Sequence, residues 1–403
     1  MIARVHGGPR ILFVNSSSGR GGAERHICEL MDPLLGAGWD VHLASPADGP
    51  LVQAACERGA RHHAVPMFPD RPSLEQGAMV RRTLREVAPD IVHLHGVRTA
   101  LIGRLAVIPD TTRSRLPAGN EDVPALIYTV HGAHYLHYRP PLNRIAVGIE
   151  RMLCNLTAAV VYVCRSDAEE SVAAGAADSR KTVVIPNGVD VSGKRRQTDP
   201  VSRDRTRREL GLHPQEVVIL FAGRLETVKN VPLLIRALHQ LALRGYGDNA
   251  ILLVAGAGSQ EPILHELVRD LGVRRASVRF LGERDDMADL MAAADVVAIP
   301  SRWEGLPYLL LDAMANALPV VGASVGGLRE AVEDGVSGRL VEPNDAPAFA
   351  AALKDLVQDK ELRRRMGRHA QERARKRYRL DRMVGETLGL YHRVLTNPRR
   401  GHR

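Results

Sequence analysis

Aromatic residues are scarce in this chain, at 4% of its 403 residues, and cysteine occurs only four times. With so few aromatics, the hydrophobic cores have to be built mainly from Val, Leu, Ile and Ala. The cysteines, at positions 28, 56, 154 and 164, show no paired spacing. The pattern predicts neither a disulfide framework nor a zinc site, and it favours a reducing compartment with four small, mostly buried thiols.

Long apolar runs are also missing. No stretch approaches the roughly 20 residues that a helix needs to cross a bilayer. The first ten residues are polar and lack the apolar core of a signal peptide. We therefore expect a cytoplasmic protein. The length suits two domains of roughly 180 to 200 residues each, because single hydrophobic cores rarely grow much larger.

The positive charge is concentrated at the end of the chain. The net charge is +9, and residues 361–403 hold fourteen Arg or Lys against four acids, a local balance of +10. Such a segment is compatible with peripheral binding to an anionic membrane surface, and equally with a solvated helix face. Nucleic-acid binding is disfavoured, because no nucleic-acid module or aromatic stripe accompanies the charge.

Short apolar, β-branched runs alternate with helical patterns, which is typical of α/β folds with parallel sheets. Helices are predicted between the strands, for example at 23–37 and 142–156, and a loop insertion at 109–124. Apolar periodicity stops at 187–200 and then restarts. We therefore expect domains at 1–190 and 191–379, with a last helix and basic tail at 380–403. The predicted strands are 11–15, 41–44, 91–94, 125–130, 159–163, 182–185, 217–222, 251–255, 278–281, 296–299 and 320–322.

The most informative block follows the predicted strand 296–299. A loop with Glu304, Gly305 and Leu306 leads into a helix that opens at Pro307, and Asp312 lies eight residues after Glu304. Proline suits the first helical position because its missing N–H would be unpaired there anyway. The N–H groups near Gly305 and Leu306 would then point out of a helix N-terminus, where an anion such as a phosphate is favoured.

This block resembles the donor-site signature of the retaining GT-B glycosyltransferases of family 4. The matching pieces are Glu304, Asp312, Ala-Met-Ala at 313–315, Pro-Val-Val at 319–321, and the Gly326-Gly327-x-x-Glu330 turn. Two positions depart from the family pattern. Asp312 stands where the family has Glu, so its reach to a ribose is one methylene shorter. Ala317 stands where a Gly usually precedes the Pro-Val-Val strand.

The resemblance implies two Rossmann-like domains that face an interdomain cleft. It also implies transfer of a sugar from a nucleoside-diphosphate sugar, of UDP or GDP type, to a hydroxyl acceptor. The basic C-terminal segment points to a glycan or lipid-linked acceptor in cell-envelope polysaccharide synthesis, because a cationic surface concentrates a protein near anionic lipid. Glu304 would hold the donor-sugar hydroxyls and Asp312 the ribose. Gly326, Gly327 and Glu330 would shape the pocket for sugar and phosphate.

Two cations follow the predicted strand 217–222. Arg224 and Lys229 lie five residues apart across a strand-end loop, where both could bind a diphosphate through charge-assisted contacts. They would then stabilise the negative charge that grows on a departing nucleoside diphosphate. The segment resembles the family's Gly-Arg-x-x-x-x-Lys element, which implies that role for both residues.

The first half holds two further candidates at predicted strand ends. Gly21 and Gly22 precede a helix, where glycine permits close approach of a ligand to the backbone. In the family this element faces the donor diphosphate and the acceptor. His131 precedes Gly132 at the end of strand 125–130, matching a family His-Gly near the donor sugar, and we predict a sugar or acceptor contact for it. His93 and His95 have a spacing compatible with metal ligation, but without acidic or cysteine partners they are interpreted as polar strand-end residues.

The resemblance places the nucleobase pocket at two more strand ends of the second half. Gly256, Gly282 and Glu283 would line it largely through backbone groups. An Asp-x-Asp pair, which metal-dependent glycosyltransferases use to hold a divalent ion, is missing from the whole chain. We therefore expect no metal and no cofactor, with the nucleotide sugar as a substrate.

Two alternatives remain open from the sequence. A sugar-nucleotide 2-epimerase shares the architecture and the nucleotide site, although the Glu304-to-Asp312 helix and the Arg/Lys loop disfavour it. A non-catalytic glycosyltransferase-like subunit is supported only by the departures at Asp312 and Ala317.

Overall fold

A computed structural model describes residues 8–66, 74–107, 124–192, 200–247, 249–273 and 277–396. The chain divides into two compact units. One consists of residues up to Pro186 together with those from Met383 onward, and the other of Asn187–Arg382. The loop insertion predicted at 109–124 lies outside the described residues, apart from Pro124.

The first unit is built on parallel strands separated by helices. Its elements are β1 (Arg10–Asn15), α1 (Gly22–Gly36), β2 (Asp40–Ser45), α2 (Pro50–Arg58), β3 (Arg61–Ala64), α3 (Leu74–Val87), β4 (Ile91–His95), α4 (Val97–Val107), β5 (Ala125–Val130), a 3-10 turn (His134–His137), α5 (Leu142–Cys154), β6 (Ala159–Tyr162), α6 (Arg165–Ala173) and β7 (Thr182–Val184).

The second unit repeats this alternation. Its elements are α7 (Pro200–Glu209), β8 (Val217–Ala222), a 3-10 turn (Thr227–Lys229), α8 (Val231–Leu243), β9 (Ala250–Ala255), α9 (Glu261–Asp270), β10 (Val278–Gly282), α10 (Met287–Ala293), β11 (Val296–Ile299), α11 (Tyr308–Ala315), β12 (Val320–Ala323), α12 (Gly326–Ala331), β13 (Gly338–Val341), α13 (Ala346–Gln358) and α14 (Lys360–Arg377), followed by α15 (Leu380–Thr396).

Both sheets are parallel and have the same doubly wound order. Among the described residues the first sheet runs β3-β2-β1-β4-β5-β6-β7 and the second β10-β9-β8-β11-β12-β13. Central strands such as β1, with its buried Ile11, Leu12 and Phe13, have helices on both faces, which explains their continuous apolar runs. The predicted α/β class with two Rossmann-like parallel-sheet domains is confirmed.

Two edge strands differ from the expectations. β3 has the sequence Arg-His-His-Ala and β13 the sequence Gly-Arg-Leu-Val, and neither forms the apolar run by which a buried strand is recognised. Both lie at the edge of a sheet, where one side of the strand is left unpaired. Polar residues are tolerated in such strands.

The last helix contributes to the core of the first unit. Tyr391 on α15 is fully buried, and its hydroxyl lies 2.6 Å from Nδ1 of His93 on β4. The Tyr391 ring also lies 5.8 Å, centre to centre, from the ring of Trp39. Within the described residues, no helix has the length and apolarity needed to span a membrane.

All four cysteines are free thiols, and no disulfide joins them. Cys154 and Cys164 are buried, whereas Cys56 is exposed and Cys28 is partly exposed. The expectation of mostly buried thiols is therefore correct for only half of them.

Candidate functional site

The predicted second-half residues cluster where the strand order of their sheet reverses. β8 and β11 are neighbours, although β9 and β10 lie between them in sequence. The chain connects outward from β8 to one edge of the sheet and from β11 to the other. Open α/β sheets bind ligands beyond the carboxyl ends of strands at such a switch point. The loops at 223–230 and 300–307 leave these two strand ends.

Backbone contacts join these two loops. The Arg302 N–H donates to the Val228 carbonyl at 2.8 Å, and the Asn230 side-chain amide donates to the Pro300 carbonyl at 3.3 Å. Asn230 is buried and has a φ of +53°, a left-handed conformation that asparagine tolerates better than most residues. These contacts within the protein hold the two loops together.

Lys229 and Glu304 meet between the loops. The Lys229 Nζ lies 2.5 Å from Oε1 of Glu304, and the Ser301 hydroxyl donates to the same oxygen at 2.7 Å. Their side chains are 22% and 10% exposed, so the pair is largely shielded from water. Two residues predicted for different parts of a donor thus form one ion pair, in which the ammonium already has a counter-charge.

Arg224 lies on the same loop as Lys229. It is exposed and forms no ion pair with any residue that the structure describes. Nearby, the Glu226 carboxylate accepts from the Ser259 hydroxyl at 2.7 Å. The Ser259 side-chain and backbone hydrogen bonds lower the pKa of Glu226, so this carboxylate stays ionised at neutral pH.

The start of α11 leaves backbone donors available. The Gly305 carbonyl accepts from Gly327 N–H at 2.8 Å, and the Leu306 carbonyl accepts from the Asn187 side chain at 2.7 Å. Within the described part of the chain, the N–H groups of Gly305 and Leu306 have no acceptor. The helix begins at Tyr308, one residue later than predicted, with Pro307 extended before it at φ −74° and ψ 139°.

The predicted second turn is the opening of a helix. Gly326, Gly327 and Glu330 belong to α12, which follows β12. A Cβ on Gly327 would lie 2.4 Å from the Gly305 carbonyl oxygen, so only glycine permits this approach. The half-buried Glu330 lies one helical turn further on, and Asp312 is half-buried within α11.

Glycines also join the loops after β8, β9 and β10. The Gly223 N–H donates to Ala255, and the Gly256 N–H donates to the Gly282 carbonyl at 2.7 Å. Gly256 has a φ of +136°, and a Cβ on it would lie 2.0 Å from the Gly223 carbonyl oxygen. Gly282 also has a positive φ, and Glu283 beside it is exposed. These predicted residues therefore lie at neighbouring strand ends.

In the first unit, Gly21 and Gly22 lie at the start of α1. Gly21 is extended, and a Cβ on it would lie 2.4 Å from a carboxylate oxygen of Glu24. The other Glu24 oxygen accepts from the Asn15 side chain at 3.0 Å. Glu24 is 9% exposed, so its carboxylate folds back over the glycines instead of projecting into solvent.

His131 belongs to a cluster of four histidine rings. Its Nε2 lies 3.0 Å from Nδ1 of His95, and the His26 ring meets it edge-on at 5.2 Å between ring centres. His93 follows at 4.2 Å from the His95 ring and also contacts the Thr129 hydroxyl at 2.7 Å. Burial, followed by the neighbouring histidines, lowers the pKa of His93, His95 and His131 well below the ordinary range, so all three are neutral at pH 7.

The interpretation of His93 and His95 as polar strand-end residues is therefore incomplete. Both are fully buried, and together with His26 they form the surroundings of His131. Among the described residues, no group of three or more His, Cys, Asp or Glu side chains is arranged to hold a metal ion.

The contacts of several supporting residues were not predicted from the sequence. Ser301, Asn187 and Asn230 hold the second-unit loops, and Glu24 and His26 line the first-unit elements. Gly188, next to Asn187, allows the backbone at Arg379 and Leu380 to approach closely, since a Cβ on it would lie 2.6 Å from the Leu380 Cα. Of the five supporting residues, only Ser301 lies within two positions of a strand end, so distance from a strand end was a signal for that residue alone.

Comparison with known proteins agrees with this architecture. Residues 202–373 match the family described as "Glycosyl transferases group 1", and residues 20–192 match "Glycosyltransferase Family 4". A D-inositol 3-phosphate glycosyltransferase of Xylanimonas cellulosilytica is 32% identical over 92% of this chain and 91% of its own length. The UDP-Gal:alpha-D-GlcNAc-diphosphoundecaprenol alpha-1,3-galactosyltransferase of Escherichia coli is 26% identical over 85% and 86% of the two chains.

A solved structure has the same fold. Anabaena HepE, crystallised in complex with UDP and glucose, superposes with a TM-score of 0.80 at 24% identity and covers 96% of this chain and 100% of its own. The family matches, the full-length relative and the two doubly wound units together show that this chain belongs to the group 1 glycosyl transferases with the GT-B fold.

Proposed function

We propose that this glycosyltransferase moves a sugar from a nucleoside-diphosphate sugar, of UDP or GDP type, to a hydroxyl of a glycan or lipid-linked acceptor with retention of anomeric configuration. The observation on which this rests is the Lys229–Glu304 pair beside the free Gly305 and Leu306 N–H groups. At this switch point, a cation and two N–H donors suit the diphosphate of a nucleotide sugar, and a carboxylate suits the hydroxyls of its sugar.

The proposed roles follow from charge. Arg224 and Lys229 and the two N–H groups neutralise the diphosphate, whose charge increases as the bond to the anomeric carbon breaks. Glu304, released from Lys229 when the diphosphate takes over that cation, accepts hydrogen bonds from the donor-sugar hydroxyls. Asp312 holds the ribose, and Gly326, Gly327 and Glu330 shape the space between sugar and phosphate.

Gly256, Gly282 and Glu283 are assigned to the nucleobase side, since their loops are continuous with that of Arg224 through backbone hydrogen bonds. On the first unit, Gly21, Gly22 and His131 are assigned to donor-sugar and acceptor contacts. The neutral His131 would act as a hydrogen-bonding group and not as a second cation.

The transfer step balances without a covalent enzyme intermediate. The bond from the anomeric carbon to the diphosphate oxygen breaks, and the acceptor oxygen bonds to the same face of that carbon. The acceptor proton passes to the departing diphosphate. No divalent metal is required in this proposal, because Arg224, Lys229 and backbone N–H groups provide the neutralising charge.

A lipid-linked acceptor would place the enzyme at the cytoplasmic face of a membrane, in cell-envelope polysaccharide synthesis. The support is the E. coli relative, whose acceptor by name is a diphosphoundecaprenol sugar. A soluble glycan would be handled by the same donor chemistry.

The test follows donor turnover by proton NMR. UDP-glucose, UDP-galactose and GDP-mannose are incubated with the protein in EDTA, with water as the slow acceptor. Release of the α-sugar before mutarotation supports retention, whereas initial release of the β-sugar contradicts it. Conversion to an epimeric sugar nucleotide without release of sugar would instead establish the epimerase alternative. A requirement for added Mg²⁺ would contradict metal independence.

A further inference from the structure

Helix α5 has an apolar stripe that the protein does not bury. Four apolar side chains of the helix are spaced three and four residues apart and, at 100° per residue, fall within an arc of about 80°, and Leu156 follows two residues beyond the end of the helix. Surface helices of soluble proteins normally turn such a stripe toward the core. Here the exposed fractions are 60% for Leu142, 55% for Ile145, 37% for Ile149, 61% for Met152 and 42% for Leu156.

The opposite face of α5 is firmly attached to the first unit. Leu153 and Cys154 are buried, and both Glu150 carboxylate oxygens accept from Nη2 of Arg104 on α4, at 2.8 and 2.9 Å. Neither member of this ion pair is more than 8% exposed by side chain. Separating the two partners would leave a buried charge without its counter-charge, which is strongly unfavourable. The pair therefore keeps the Glu150 face of α5 against the first unit and the stripe on the outward face.

The charges around the stripe have one sign. Arg139, Arg144 and Arg151 are exposed, whereas the single carboxylate between residues 138 and 156 is the buried Glu150. Arg144 and Arg151 lie on the same outward side of the helix as the stripe, separated from it by Gly148. Long arginine side chains can keep their charge in water while their stems lie along an apolar surface.

We propose that α5 docks on an anionic lipid bilayer, with Leu142, Ile145 and Met152 entering the interface and the arginines contacting lipid phosphates. Apolar insertion combined with exposed cations is the arrangement by which interfacial helices bind membranes. A second copy of this chain is disfavoured as the occupant, because two such faces would bring three arginines against three without an exposed carboxylate between them. This inference does not depend on the donor chemistry proposed above.

The basic C-terminal segment is a weaker candidate for the same role. The apolar residues of α14 that face inward, Met366, Ala370 and Ala374, are buried, and no exposed large apolar residue lies between 361 and 396. Arg373 donates to the Glu330 carbonyl at 2.8 Å, so part of its charge serves internal contacts. This segment has exposed cations but no exposed large apolar side chain to enter a bilayer, whereas α5 has both.

The experiment measures co-sedimentation of the full chain with phosphatidylcholine vesicles that contain or lack phosphatidylglycerol. The apolar variant is Ile145→Ser/Met152→Ser. Its matched control is Leu243→Ser/Ile263→Ser, at positions 74% and 51% exposed on the second unit. The charge variant is Arg144→Gln/Arg151→Gln, and its control is Arg365→Gln/Arg368→Gln, at exposed positions on α14.

We expect wild type to bind the anionic vesicles and the apolar variant to bind at least about tenfold more weakly, since two aliphatic side chains no longer leave water for the bilayer interface. The charge variant should lose affinity severalfold and show a weaker dependence on salt. Both controls should bind as wild type, and all thermal midpoints should agree, because the substituted side chains are exposed.

Three results would overturn the proposal. One is failure of the wild type to bind phosphatidylglycerol vesicles. Another is equal loss of binding in the α5 variants and their controls. The third is a wild-type dimer in analytical ultracentrifugation that the apolar variant dissociates, which would assign the stripe to a second copy of the chain.

Discussion

Glu304 and Lys229 form an ion pair in which each side chain restrains the other, and this has a measurable consequence. Lys229 must leave the carboxylate, 2.5 Å away, before it can bind a diphosphate fully. Removing the charge of Glu304 therefore frees the ammonium for a nucleotide while it removes the group proposed to hold the sugar.

We predict that Glu304→Gln lowers sugar-transfer kcat/KM by about 10² to 10³. The same change should leave UDP or GDP affinity unchanged or severalfold stronger. Turnover by coupled nucleotide release and affinity by calorimetry give the two values. Weaker nucleotide binding together with unimpaired turnover would contradict the proposed division of roles.

Ala317 shows how a departure from a family pattern is accommodated. Its φ is +56°, in the left-handed region, where it ends α11. A non-glycine residue in this conformation lowers the free energy of unfolding by about 1–2 kcal/mol. Replacement by glycine would remove this strain, but part of the gain would be offset because glycine gives the unfolded chain more conformational entropy. The departure is therefore a cost in stability and does not by itself favour a non-catalytic protein.

We predict that Ala317→Gly raises the free energy of unfolding by about 0.5–1 kcal/mol. The matched control, Ala315→Gly, lies in the same helix at an ordinary helical position and should lower it by about 1 kcal/mol. Urea denaturation measures both. A loss of stability in Ala317→Gly would show that the left-handed backbone is not the source of the cost.

Glycines allow close backbone contacts between the loops that follow β8, β9 and β11 and the start of α12. A side chain at these positions would collide with the backbone of a neighbouring loop. Gly327 has an ordinary φ, so its requirement is one of space alone, set by the Gly305 carbonyl. A methyl group there must push the 300–307 loop away from α12 and thereby displace the Gly305 and Leu306 N–H groups.

We predict that Gly327→Ala weakens nucleotide binding at least about tenfold, through the loss of a positioned donor pair worth more than 1 kcal/mol. Gly385→Ala is the control, since this helical glycine on α15 has no atom within 4 Å of the added Cβ. Calorimetric titration measures the affinities. Wild-type affinity in Gly327→Ala would mean that the loop contact is not needed for the site.

At the level of elements, the central strands and the edge strands β7 and β10 were predictable, whereas the edge strands β3 and β13 were not. β5, β8 and β11 have the bounds expected from their apolar runs. β3 and β13 were missed because edge strands do not need such runs. The loops at 223–230 and 300–307 were singled out through their resemblance to family motifs, but the Lys229–Glu304 contact joins side chains 75 positions apart and no local pattern encodes it.

The histidine cluster was missed for a related reason. His26, His93, His95 and His131 come from α1, β4 and the end of β5, so only the strand order β1-β4-β5 brings them together. Each alone is unremarkable in sequence. Because burial lowers the pKa of His93, His95 and His131, we expect the stability of the first unit to depend on pH.

The sign of this coupling follows from the lowered pKa values. Between the folded pKa values and the unfolded value of about 6.5, the unfolded chain binds protons that the folded chain does not. Their contribution to stability is therefore fully present above pH of about 6.5 and is lost as the pH falls below it. Each histidine can contribute up to about 1.4 kcal/mol per pH unit.

We predict that the first unit loses stability steeply below pH of about 6.5 and that His95→Gln reduces the slope by about one proton. The chain has two tryptophans, so in a Trp303→Phe background the fluorescence of Trp39 reports on the first unit alone. Urea midpoints across this pH range give the slope. Equal slopes in the two proteins would show that His95 does not titrate on unfolding.

The central claim for the whole molecule is that a nucleoside diphosphate binds at the switch point of the second sheet without a metal ion. The most direct measurement is calorimetric titration of UDP and GDP in EDTA into wild type, Lys229→Met and the exposed control Lys376→Met. We predict that one nucleotide binds wild type and the control equally, and Lys229→Met at least about tenfold more weakly. Equal affinity in all three proteins, or binding only after a divalent ion is added, would contradict the account.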